Sequence, residues 1–355
     1  MQAKISFSNS GLREYCTGYL KRMRPHVSSV VVVYDSAVPE YLLRQATAGV
    51  IDSGCNMKLI KAARGEKNKT VDSAIQLASK LLKAKVDRNS LVLAVGGGVT
   101  SDVAGFAASM TLRGIRWACL PTTLLSMVDA SIGGKTGVNA LGAKNMIGAF
   151  HFPEFVHTDF RWLKSLPERE FRSGLGELQK TALLAGGKLW RLCLDAKAKQ
   201  LRKSTPTLRE LVHLSAKYKA KVVAGDPKEE STRQVLNLGH TFGHPLESAS
   251  NGNLSHGEAV SFGIRCAISH SVEQQLCSTK LAADNLKLSR SMGLDTVTEI
   301  KMPAAPELRR LLGHDKKSKG GKLTLILMEK AGRPLVCEGY LVDDVAKIII
   351  ANQYA

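Results

Sequence analysis

The sequence predicts two domains of different class: an α/β domain with a parallel sheet over residues 1–166, and a mainly α-helical domain over residues 167–355. Two patterns carry this. Apolar runs at 30–35 and 91–95 alternate with segments of helical spacing, as in a parallel sheet covered on both faces. From about Pro167 to Met292 the spacing is helical almost throughout, and the change of character falls at Ser165-Leu-Pro167. At 355 residues the chain is long enough for two sizeable cores.

The elements follow in order. Val30-Val-Val-Val-Tyr-Asp35 is a β-branched strand ending in a carboxylate, and helical spacing follows over 42–51. Residues 57–61 form a second short strand. Val71, Ile75, Ala78 and Leu82 share one face of a helix over 70–82, with Asp72 in its first turn. Leu91-Val-Leu-Ala-Val95 is wholly apolar and runs straight into Gly96-Gly-Gly98, while residues 117–120 form a strand that ends in Pro121-Thr-Thr. Near the C-terminal end, residues 320–337 read as a hairpin turning at Ala331-Gly-Arg333, and residues 343–354 as a helix. There is no internal repeat or low-complexity tract.

Composition narrows the function classes. Hydrophobic residues at 44% and charged residues at 23% are ordinary for a globular protein. The first eight residues lack a basic stretch followed by an apolar run, so no secretory leader is expected. No segment approaches the roughly 20 apolar residues that span a bilayer. Seven dispersed cysteines, with no Cys-x-x-Cys pair, point to thiols in a reducing compartment and to a metal site built from histidine and carboxylate. The net charge of +19 is spread along the chain without interleaved aromatics. That favours an anionic small molecule over nucleic acid as the partner.

Gly96-Gly-Gly98-Val99-Thr-Ser-Asp102 follows a strand and opens a helix, so backbone N–H groups and the helix N-terminus can meet a pyrophosphate. Asp35 ends a strand where a carboxylate can accept from ribose hydroxyls. Glu66 and Lys69 precede a helix, and Thr122, Thr123 and Leu125 end another strand. Polar groups at the C-terminal ends of successive strands make one crevice.

The helical half carries Gly176-Glu177-Leu-Gln-Lys180, then Asn237-Leu-Gly-His240-Thr-Phe-Gly-His244, then His256-Gly-Glu258. One carboxylate and three imidazoles in glycine-marked contexts form the ligand set of a catalytic divalent metal. Spacing leaves open which two histidines bind it. Gly133-Gly-Lys135-Thr136 and Lys144-Asn145 place donors in a glycine-containing loop without full P-loop spacing. Lys219, Arg233 and Asn237 lead up to the His240 motif and suit a phosphate.

Together these blocks, with Arg113-Gly-Ile, Pro121-Thr-Thr-Leu-Leu and Val128-Asp129-Ala-Ser-Ile-Gly-Gly-Lys135, resemble the 3-dehydroquinate synthase family from about Val30 to Leu341. The resemblance implies a dehydroquinate synthase-like fold, with NAD+ on the α/β domain and zinc (or cobalt) on the helical domain. It implies Glu177, His240 and His256 as metal ligands and His244 as a substrate group. Arg113, Asp129, Lys135, Asn145, Lys180, Lys219, Arg233, Asn237 and one of Lys316 and Lys317 fall on substrate positions. Asp35, Glu66, Lys69, Gly97, Gly98, Val99, Asp102, Thr122, Thr123, Leu125, Lys135, Lys144, Trp162, Ser165 and Glu170 fall on or beside cofactor positions. The implied reaction converts 3-deoxy-D-arabino-heptulosonate 7-phosphate to 3-dehydroquinate and phosphate, in a cytoplasmic homodimer that binds neither nucleic acid nor membrane. The chain departs from the family pattern at Ala37, Gln179, Thr181, Ser231 and Pro245. The rival readings are a cyclase acting on sedoheptulose 7-phosphate or glucose 6-phosphate, a metal-dependent polyol dehydrogenase, and a binding protein that kept the fold.

Overall fold

A computed structural model describes residues 3–8, 10–203, 206–295, 302–313 and 322–353. The chain divides into two compact units, Met1–Leu166 and Pro167–Ala355.

The first unit runs β1 (Lys4–Ser8), α1 (Leu12–Arg22), β2 (Ser29–Asp35), α2 (Glu40–Asp52), β3 (Asn56–Ala62), α3 (Val71–Lys83), β4 (Leu91–Gly96), α4 (Gly98–Met110), β5 (Arg116–Pro121), β6 (Lys135–Ala140), β7 (Ala143–Phe150) and β8 (Phe155–Asp159). Six strands form one parallel sheet in the order β1-β8-β5-β4-β2-β3. Val30 to Val33 and Leu91 to Val95 are buried on both faces, which is why they read as continuous apolar runs. From β2 the chain steps outward to β3, then crosses back to β4 on the other side of β2. The order therefore reverses between β2 and β4, and such a reversal opens a crevice beyond the strands' C-terminal ends.

Two strands of this sheet were not anticipated. β1 is a five-residue edge strand. The Phe155-Val-His-Thr-Asp159 sequence of β8 is half polar yet entirely buried. His157 is tolerated there because both ring nitrogens are satisfied, by Ser6 Oγ and Ser8 Oγ at 2.9 Å each, with Tyr15 stacked at 3.6 Å. The expected loop around Lys135 to Asn145 is instead the antiparallel hairpin β6–β7. Its two-residue turn is Leu141-Gly142, with φ of 52° and 73°. A turn with both central residues left-handed matches strand twist, but it usually announces itself as Asn-Gly, and Leu141 gave no such signal.

The second unit runs α5 (Glu168–Ala185), α6 (Gly187–Leu194), α7 (Ala198–Leu201), α8 (Pro206–Gly225), α9 (His240–Ala249), α10 (His256–Glu273), α11 (Thr279–Ser291), α12 (Ala305–Gly313), the antiparallel pair β9 (Lys322–Lys330) and β10 (Arg333–Leu341), and α13 (Val342–Ala351). Every residue from Gly174 to Leu184 is buried, so α5 is covered on all sides rather than amphipathic. No described helix is long and apolar enough to cross a membrane.

Burial outweighs the nearby Asp159 charge and lowers the His157 pKa from 6.5 to about 4. The folded chain therefore keeps this imidazole neutral where the unfolded chain protonates it. Stability is full above pH 6.5 and falls as pH drops from 6.5 towards 4, by up to ~3 kcal/mol at about 1.4 kcal/mol per unit. Urea unfolding of wild type and His157→Gln should converge as pH falls through this window; parallel curves would show that His157 is not the acid-sensitive group.

Candidate active site

The candidate metal donors converge because glycines let three helices approach closely. α5 meets α10 at Gly176 and Gly257, where a Cβ on Gly176 would lie 2.2 Å from the Gly257 carbonyl oxygen. α9 docks on α10 at Gly239, whose φ is 80° and whose Cβ would lie 2.6 Å from the Val260 carbonyl oxygen. Any larger residue at either crossing would push the helices apart. Glu177 then projects from the middle of α5, while His240 and His256 are the first residues of α9 and α10. Ser255 and Glu258 form a capping box that fixes the start of α10, which is the role Glu258 takes in the His256-Gly-Glu motif.

Glu177 Oε1 lies 2.9 Å from His256 Nε2 and 3.5 Å from His240 Nε2. One donor atom from each of the three residues falls within 4.8 Å of the others. Glu177 is fully buried, and Lys180 Nζ stands 2.6 Å from its Oε2. Burial alone would raise the Glu177 pKa, but the Lys180 charge and the His256 hydrogen bond hold it well below the ordinary carboxylate range. Burial opposes a charged His256, yet Glu247 and Glu177 on either side of the ring lift its pKa to about 10. The far nitrogens are also engaged: His240 Nδ1 faces the Leu238 carbonyl at 3.2 Å, and His256 Nδ1 faces Glu247 Oε2 at 3.1 Å. A carboxylate with two imidazole Nε2 atoms suits divalent zinc with coordination positions left for substrate. The donors present fit such an ion.

Among the further candidate substrate groups of this unit, His244 lies beside these donors. The His244 ring lies 4.8 Å from that of His240. Lys219, on α8, and Arg233 are buried cations. Asp226 accepts from the backbone N–H groups of Glu230, Ser231 and Arg233 and so shapes the turn that carries Arg233, whose Nη1 donates to the Pro227 carbonyl at 2.7 Å. Asn237 Nδ2 donates to Glu229 Oε1 at 2.8 Å. Sequence reasoning missed Glu229 and Glu247. Glu247 carried a signal, being three and seven residues beyond His244 and His240 on one helical face; Glu229 carried none. Gln179 stands away from the metal donors' chemistry and donates to Asn285 and Ser289 at 2.8 and 2.9 Å. Lys316 and Lys317 lie outside the described residues.

In the first unit the reversal in strand order places Asp35, at the end of β2, beside Gly96 to Gly98, at the β4–α4 turn. A Cβ on Gly97 would lie 2.9 Å from Thr123 Cγ2, so glycine keeps room between the turns after β4 and β5. Asp35 Oδ1 accepts from the Ala37 N–H at 2.8 Å. Lys69 Nζ donates to Asp102 and to Asn145 Oδ1, both at 2.5 Å, and Asn139 joins Glu66 to the Asn145 backbone at 2.8 and 2.9 Å. Candidate cofactor and substrate residues thus share one polar network. Val99 and Leu125 flank these turns, and Asp129 sits on a single π-helical turn, Ser126–Ala130. Lys135 opens β6 and Lys144 lies on β7. A helix N-terminus beside a glycine-lined gap fits a dinucleotide pyrophosphate. Trp162 is buried, while Ser165 and Glu170 are exposed. Arg113 is not brought to the crevice. It follows the C-terminal end of α4, which runs back for roughly 20 Å from Gly98, to the opposite, N-terminal ends of the strands.

Residues 59–173 match the model of the 3-dehydroquinate synthase N-terminal domain, and residues 174–318 match that of the C-terminal domain. The chain belongs to the 3-dehydroquinate synthase family. Among relatives of this family, the 3-dehydroquinate synthase of Leptospira interrogans (serovar copenhageni, strain Fiocruz L1-130) is 37% identical over 88% of this chain and 85% of its own. That of Rhodopirellula baltica is 38% identical over 91% and 86%. The fold is shared with 2-deoxy-scyllo-inosose synthase, crystallised with carbaglucose-6-phosphate, NAD+ and Co2+, at TM-score 0.85, 24% identity and 98% coverage of both chains. It is shared also with 2-epi-5-epi-valiolone synthase from Streptomyces hygroscopicus subsp. jinggangensis 5008, bound to NAD+ and Zn2+, at TM-score 0.86, 23% identity and 99% and 97% coverage.

Gly176→Ala tests the packing argument. Its Cβ has only backbone to displace, so it should destabilise the chain by about 1–3 kcal/mol and weaken zinc binding together. Wild-type melting and zinc affinity in this variant would show that the α5–α10 crossing does not need glycine.

Proposed function

We propose that the chain is a 3-dehydroquinate synthase, converting 3-deoxy-D-arabino-heptulosonate 7-phosphate to 3-dehydroquinate and phosphate within aromatic amino acid biosynthesis. The convergence of Glu177, His240 and His256, in a chain whose two halves match the two domain models of that family, carries this reading. Seven free cysteines and the absence of any membrane-crossing described helix suit the cytoplasm, where we place it.

Zinc held by Glu177, His240 and His256 would supply a Lewis acid that acidifies a ring hydroxyl, and NAD+ held at the Asp35 and Gly96–Gly98 crevice would supply a hydride acceptor that is regenerated at the end. The chain's own residues do the rest. Lys180 balances the Glu177 carboxylate and keeps it ionised as a ligand. Arg233, Lys219 and Asn237, with His244, hold the anionic groups of the sugar phosphate, Arg233 by its planar fork and Lys219 as a point charge. Holding the phosphate places its oxygen against the C–H acidified by oxidation, so elimination needs positioning more than a dedicated side-chain base. Lys69 and Asn139 fix Asn145, which tethers substrate recognition to the cofactor crevice. The cycle has no net redox change.

Arg113 supports a homodimer. Placed at the strand ends opposite its own crevice, it is proposed to reach the substrate of a second copy. Mixing the inactive Arg113→Ala and His256→Ala variants should restore roughly a quarter of wild-type activity, because half the dimers are mixed and each has one complete site; no recovery would assign Arg113 another role.

The substrate itself is tested directly. Protein supplied with NAD+ and zinc should release phosphate from the heptulosonate phosphate, and Glu177→Ala should reduce release to background. Release from sedoheptulose 7-phosphate or glucose 6-phosphate alone would move the chain to another cyclase activity.

A further inference from the structure

We infer that Glu247 is a positioning residue for the metal centre: its carboxylate fixes the tautomer and ring orientation of His256. This rests on the reading of Glu177, His240 and His256 as metal donors.

His256 stands at the first residue of α10, with no preceding helical turn to pack its ring. Its side chain keeps 27% of its surface exposed, against 1% for Glu177. Two carboxylates hold it from opposite ends, Glu177 Oε1 at 2.9 Å from Nε2 and Glu247 Oε2 at 3.1 Å from Nδ1. A neutral imidazole has one N–H and one lone pair. With a carboxylate at Nδ1 an N–H stays there, and a bound cation would take the place of the Nε2 proton that here meets Glu177. His240 has the same arrangement, with the Leu238 backbone carbonyl as its acceptor. Backbone geometry orients one histidine, and a side chain must orient the other.

Glu247 is built for this. It lies on α9, the helix that opens with His240, and its side chain is 9% exposed. A second grouping, of His244, Glu247 and His256, also falls within 4.8 Å and would make Glu247 a ligand itself. That arrangement spends His256 Nδ1 on the metal and leaves Glu177, the more deeply buried carboxylate, without the cation. The first grouping uses the two Nε2 atoms that converge on Glu177 Oε1 and leaves Glu247 at His256 Nδ1.

The test is zinc affinity of the full chain, by competition with a chromophoric chelator at fixed pH, with NAD+ binding as a control for folding. Glu247→Gln keeps the shape and removes the charge. It should weaken zinc about 10–100-fold, leave NAD+ affinity unchanged, and leave the cobalt-substituted absorption envelope as in wild type. Glu247→Leu should weaken zinc at least as much. Wild-type zinc affinity in Glu247→Gln would overturn the inference. Complete loss with a changed cobalt spectrum would overturn it too, by making Glu247 a ligand. Glu177→Ala separates the two levels: if that variant retains zinc, the metal assignment itself is wrong.

Discussion

A carboxylate with no access to water must have its charge balanced where it stands, and in this chain that carboxylate is Glu177. It sits midway along a helix buried on every side. Lys180 one turn away and the imidazoles of two further helices are the groups available to it. Such a charge is tolerated only if its partners are held in place, and the glycines at the α5–α10 and α9–α10 crossings are what allow them to come close enough. The packing of the helical unit and the chemistry of the site are therefore one constraint.

The first unit solves a different problem, which is to present polar groups at one end of an apolar sheet. A parallel sheet buried on both faces leaves only its strand ends for chemistry. The reversal of strand order beside β2 determines which ends open, and Gly96 to Gly98 keep the opening clear. Lys69, buried beneath the β6–β7 hairpin's polar residues, ties Asp102 to Asn145 and makes the crevice and the hairpin a single network.

Much of this was legible in the sequence, and the gaps have physical causes. The glycine turn after β4 and the Glu177, His240 and His256 motifs stood out because each needs an unusual residue at a fixed place. Spacing could not choose between His240 and His244, which share a helical face, since the choice depends on where Glu177 lies in space. β8 escaped notice because His157 at its centre is satisfied by partners about 150 positions away, Ser6 and Ser8. The hairpin escaped because Leu141 occupies a left-handed position usually filled by Asn or Gly. Arg113 was recognised by its motif, but no motif says at which end of the strands an arginine will lie.

The central claim is that one divalent ion sits among Glu177, His240 and His256. Anomalous diffraction from zinc-loaded crystals tests it most directly. The account predicts a single strong peak about 2.0–2.2 Å from Glu177 Oε1, His240 Nε2 and His256 Nε2. A peak held instead by His244 and Glu247, with Glu177 paired only to Lys180, would contradict it.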